Sequence, residues 1–78
     1  MRDLYIHQAG GHRVTIGGVK LLADFSTEQI LLRASGVEIT ITGEGLQIER
    51  FDENEIEIIG TVTNIATQYL SKSRRWLR

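Results

Sequence analysis

The 78-residue chain contains no cysteine and no proline, and only one methionine and one tryptophan. Without cysteine there is no disulfide framework, no thiolate metal site and no thiol catalysis, which suits a reducing compartment. Without proline, edge strands cannot be blunted by removing a backbone donor, so a β fold must manage its edges by charge, by closure or by pairing with another copy. No stretch is long and apolar enough to span a bilayer. The opening Met1-Arg2-Asp3-Leu4-Tyr5 lacks the apolar run of a signal peptide. The expectation is a cytoplasmic protein, soluble or peripheral.

Ile, Val and Thr are abundant, and eight glycines punctuate the chain. β-branched side chains are stiff and pack well on a pleated surface, so this composition favours strands. Period-two alternation is strongest in Gly36-Val37-Glu38-Ile39-Thr40-Ile41-Thr42-Gly43, where positions 37, 39 and 41 are apolar. Gly43-Glu44-Gly45 reads as a tight turn, after which Leu46 and Ile48 continue the inward face as far as Phe51. Asp52-Glu53-Asn54 is a second turn. The alternation resumes at Ile56 and Ile58, and Gly60 predicts a bulge or bend before Val62 and Ile65.

Upstream, residues 4–7, 14–16, 19–25 and 30–34 read as strands, separated by Gly10-Gly11, Gly17-Gly18 and Ser26-Thr27-Glu28. The pattern predicts an all-β fold. It is a small antiparallel meander of six or seven short strands, rolled into a barrel or folded into a sandwich, with sequence neighbours pairing as hairpins. Residues 1–70 form the single β domain and 71–78 a basic C-terminal tail. Over residues 66–78 the alternation is lost, and Ile65, Tyr69, Ser73, Trp76 and Leu77 recur at three- and four-residue spacing. That segment reads as a short amphipathic helix capped by Asn64 or Thr67, or as a disordered tail.

Charge is unevenly spread. Residues 1–70 hold five cations and ten acids, whereas 71–78 hold Lys72, Arg74, Arg75 and Arg78 and no acid. An acidic body with a basic tail is an interaction pattern. No catalytic constellation stands out: Ser26 and Ser35 sit at turns with no base in a motif beside them. His7 and His12, the only histidines, flank the Gly-Gly turn at a spacing no metal site demands, and read as surface residues. The run Asp52-Glu53-Asn54-Glu55-Glu57 lacks the glycine and spacing of an EF-hand loop and reads as the solvated face of a strand. Gly10-Gly11 and Gly17-Gly18 open no phosphate loop. No cofactor, metal or catalytic residue is expected, and the chain is read as a non-enzyme.

The tail carries the functional signal. Lys72, Arg74, Arg75, Trp76 and Arg78 could seat at an anionic membrane surface, ring at the headgroups and charges on phosphates, or dock on an acidic partner, including a second copy. Each cation near such a surface contributes about 1 kcal/mol, giving reversible, salt-sensitive attachment. Nucleic acid is a weaker partner, since the acidic body repels phosphate.

From His12 to Ile65 the order of residues resembles the YabP/YqfC family of sporulation proteins. The resemblance is carried by Arg13-Val14-Thr15-Ile16-Gly17-Gly18-Val19, Phe25-Ser26-Thr27-Glu28, Ile30-Leu31-Leu32, the strand at 36–41, Gly43-Glu44-Gly45-Leu46-Gln47-Ile48 and Ile58-Ile59-Gly60-Thr61-Val62. It implies a non-catalytic binding or scaffold module acting in spore envelope assembly, beside a membrane-protein partner or at the forespore membrane surface on the mother-cell side. It implies no catalytic residue. Two other functions fit the residues: a self-assembling structural β protomer, and a small nucleic-acid-binding barrel using the tail with Arg13, Lys20 and Arg33.

Overall fold

The structure is a computed structural model that describes residues 4–69. Six strands form one antiparallel sheet: β1 (Tyr5–Ala9), β2 (Arg13–Gly17), β3 (Val19–Phe25), β4 (Gln29–Ala34), β5 (Val37–Asp52) and β6 (Glu55–Tyr69). Their order across the sheet is β1-β2-β6-β5-β4-β3. The all-β expectation holds. The sheet does not close into a barrel, because β1 and β3 are its outer strands.

The long β5–β6 hairpin is the spine. Its open end pairs with β4 through β5 residues 37–42, and its turn end pairs with β2 through β6 residues 55–59. One half of the sheet is therefore β1-β2-β6-β5 and the other is β6-β5-β4-β3. Val14, Ile16, Ile56 and Ile58 from the first half are fully buried, as are Val19, Ile30, Leu32, Ile39 and Ile41 from the second. All join one core cluster with Leu46. A one-layer sheet buries side chains completely only if something covers them, and no other layer exists among the described residues. The sheet covers itself by bending at the middle of the hairpin, an arrangement that the sandwich of the two expected forms allows and a closed barrel does not.

The fold line lies at Gly43, Gly45 and Gly60, where the β5–β6 register shifts. A Cβ on Gly43 would stand 1.9 Å from the Thr61 carbonyl oxygen, so only glycine lets the two backbones approach. Bulging releases backbone donors, and the two outer hairpins satisfy them. The β3–β4 turn accepts from Gly43 and Leu46 of β5, through the carbonyls of Glu28 (3.0 Å) and Thr27 (2.8 Å). The β1–β2 turn accepts from Gly60 and Val62 of β6, through the carbonyls of His12 (3.0 Å) and Gly11 (3.1 Å). Each hairpin tip thus clamps the bend from its own side.

Three sequence expectations are corrected. Gly43-Glu44-Gly45 does not turn the chain: β5 runs through it as one 16-residue strand, which gives six strands rather than seven. The glycines make a bulge because the partner strand continues opposite them. Next, β2 and β3 do not pair as a hairpin. The single link Gly18 (φ 84°) carries the chain from one half of the folded sheet to the other, and β2 pairs with β6 instead. Finally, Asn64, Ile65, Thr67 and Tyr69 lie in β6, not in a helix or its cap. Their regular pairing with β5 residues 37–42 supplies the ladder that overrides the helical spacing. Residues 71–78, including the helix or tail expected there, lie outside the described residues.

Candidate functional site

The surface divides into a polar face and a set of strand edges. On the outer face of the first half-sheet, Tyr5 opposes Gly17, Gly17 opposes Glu55, and Glu55 opposes Asp52. The Tyr5 ring lies over Gly17, so close that a Cβ there would stand 2.0 Å from its Cε2, and the phenol donates to the Glu55 carboxylate. An aromatic ring laid across a strand glycine restores the packing that the glycine lacks.

Arg50 is the centre of this face. Its guanidinium donates to Asp52 at 2.6 Å and to Glu55 at 2.7 Å, and its Nε stands 3.7 Å from Glu57. Arg13 bridges Glu57 from the other side. The Glu55 carboxylate, accepting a hydrogen bond, holds the Arg50 pKa above its ordinary value, with Asp52 adding to the effect. Tyr5, Gly17, Gly18, Arg50 and the hairpin turn 52–55 line an open, polar cleft of about 130 Å³. The acidic run spans the hairpin turn and the start of β6, with Asp52, Glu55 and Glu57 paired to arginines. Arg50 was not singled out in the sequence, because its role depends on a hairpin register that brings residues 52, 55 and 57 around it.

The histidines are exposed, His7 opposite Thr15 on β1 and His12 in the following turn. Among the described residues no group of three or more His, Asp or Glu side chains could hold a metal. No described helix is long and apolar enough to cross a membrane. Of the cations weighed for nucleic acid, Arg13 is bound to Glu57 and Arg33 donates to Glu38 at 3.1 Å, leaving Lys20 exposed on β3. Lys72, Arg74, Arg75, Trp76 and Arg78 lie outside the described residues.

Folding a sheet with a long central hairpin creates four edge segments rather than two. β3 is interrupted by two register shifts and carries Lys20 and Asp24. The far half of β5, residues 47–52, has a register shift and carries Glu49, Arg50 and Asp52. Both are protected in the ways natural sheets protect edges. β1 is short and, with Leu4 just before it, presents Tyr5 and Ile6 to solvent. Among the described residues, the far half of β6, beyond Val62, pairs only with β5, in unbroken register from Asn64 to Tyr69.

A family model matches residues 3–75, beyond the stretch that carried the resemblance at both ends. The chain belongs to the YabP family. That membership suggests a sporulation-related protein. No curated protein matches the chain. Within this YabP-family fold, the turn residues Phe25-Ser26-Thr27-Glu28 and Gly43-Glu44-Gly45 are adjoining parts of one structure, since the β3–β4 turn caps the bulge of β5.

Proposed function

We propose that this chain is a non-catalytic sporulation module, binding or scaffolding a membrane-protein partner, or the forespore membrane surface, during spore envelope assembly in the mother cell. The family match over residues 3–75 carries this reading. The architecture supports it. The apolar side chains that are fully buried all serve one core, while Tyr5, Ile6, Leu21, Phe25 and Phe51 remain exposed on strands near the sheet edges. Exposed aromatic and aliphatic side chains on rigid strands suit recognition of another surface. The basic tail adds an attachment that four cations and one tryptophan make reversible and salt-sensitive.

Two measurements test this. Deleting the gene in its spore-forming host and counting heat-resistant spores asks whether the protein matters to spore formation. An unchanged count sinks the sporulation role. Co-sedimentation with anionic liposomes, comparing the full chain with one ending at Leu70 at low and high salt, tests membrane contact. Tail-dependent, salt-sensitive binding is expected, and its absence leaves a protein partner as the target.

A further inference from the structure

We infer that the edge of β6 over residues 63–69 pairs with the same edge of a second copy, antiparallel about a two-fold axis beside Ala66. This does not depend on the proposed sporulation role. Residues 61–69 (Thr-Val-Thr-Asn-Ile-Ala-Thr-Gln-Tyr) contain no charge, no proline and no glycine, and no register shift breaks the ladder from residue 64 onward. The edges of β3 and distal β5 carry both charges and bulges. An uncharged, regular, β-rich edge left bare is a template for another strand.

The free stretch has two bounds. Val62 still donates to Gly11 of the β1–β2 turn, so edge pairing can begin only at Thr63, and β6 runs to Tyr69. The midpoint is Ala66, and a two-fold there sets Ala66 opposite its own copy, which is an isologous contact. Asn64 then faces Gln68 of the partner on the outer side. On the core side Ile65 faces Thr67, and Tyr69 comes opposite Thr63, the residue at the register shift. Tyr69 follows the inner row of Ile41, Ile39 and Val37 yet is 83% exposed; pairing sets its ring beside a β-branched residue and diagonal to the half-buried Ile65, a favourable cross-strand combination.

Charge selects a copy of this chain as occupant. The strand sets no like charges opposite each other. A second copy also offers complementary charge, since residues 1–70 hold ten acids against five cations and residues 71–78 hold four cations and no acid. A seven-residue edge is small beside the standard interface of about 1,600 Å², so association is concentration-dependent.

The test is the solution mass of the full chain over a concentration series, for the wild type, Ala66→Lys, Ala66→Glu and a one-to-one mixture of the two variants. Ala66 is exposed, so both variants keep the fold, checked by the β-sheet circular dichroism signal. The expected result is wild-type association toward twice 8.8 kDa, monomeric single variants, and re-association of the mixture. A wild type that stays monomeric throughout overturns the proposal and leaves the edge to a strand of another protein. Dimers that survive Ala66→Lys, or a mixture that stays monomeric, overturn it as well.

Discussion

Gly60 of β6 packs its backbone against the Gly45 carbonyl of β5: a Cβ on Gly60 would stand 2.6 Å from that oxygen and 2.9 Å from Leu46 Cα. Gly60 also holds φ at 128°, a conformation L side chains rarely adopt. The two glycines are where the hairpin bends and the sheet folds over itself.

Gly60→Ala is therefore expected to destabilise by about 3 kcal/mol, combining a strained backbone with a clash against backbone that cannot swing away. Gly36→Ala, at a turn with φ 73° and open space around its Cβ, should cost only about 1 kcal/mol. Urea denaturation of both variants checks the contrast, and equal losses would mean that the bend is not the tight point.

Leu46 lies within the register shift between Glu44 and Gln47 and is completely buried in the core. Leu46→Ala should cost about 3 kcal/mol, through lost burial and a residual cavity. For a domain whose total stability is of order 4–12 kcal/mol, that is a large fraction. A small change in the thermal midpoint would show that the halves close over the gap.

Asn54 ties the hairpin tip to the start of β3. Its carbonyl accepts from Val19 N at 2.9 Å and its side-chain amide donates to Val19 O at 3.0 Å. With φ at 69°, it also occupies a left-handed position that asparagine tolerates. Asn54→Ala keeps the carbonyl but removes the side-chain bond and the tolerance for that φ, and should cost about 2 kcal/mol. Hydrogen exchange should show faster opening at the Val19 amide in particular; protection there equal to wild type would contradict the assignment.

Arg50 sits among Asp52, Glu55 and Glu57, and its pKa is raised chiefly by the hydrogen bond to Glu55. A base with a raised folded-state pKa stabilises fully below its unfolded pKa and loses that contribution as pH rises through the folded one. For an arginine that window lies in strong alkali, so the Arg50 contribution should be flat from neutral to mildly alkaline pH. Exposed ion pairs are screened by salt. Arg50→Gln should lower the denaturation midpoint at low salt and do so less at high salt, with no new pH dependence in that range. A loss insensitive to salt would point to packing of the side chain instead.

Tyr5 covers Gly17 and holds Glu55. Gly17→Ala displaces the ring and should loosen β1 while leaving the core intact, for a loss of about 1 kcal/mol. Faster amide exchange confined to residues 5–9 is the expected signature, and unchanged exchange there would show that the ring re-seats without cost.

Alternation alone identified the inward residues: Val37, Ile39 and Ile41, then Leu46, then Ile56 and Ile58, all of them buried. It also gave β3 its bounds, the Ser26-Thr27-Glu28 and Asp52-Glu53-Asn54 turns, and the bend at Gly60, because period-two burial and turn chemistry are local properties of the chain. Longer-range relations were decided only by the tertiary structure. Whether Gly43-Glu44-Gly45 is a turn or a bulge depends on what lies opposite, and β6 lies opposite. That β2 pairs with β6 and not with β3 depends on which strand offers a free ladder after the sheet folds. The Arg50 cluster requires the register of a hairpin, and the bare edge of β6 exists only because β2 reaches no further than Ile59. Side-chain periodicity is carried by each strand alone, whereas strand order and exposed edges belong to pairs of strands, and pairing is a property of the folded chain.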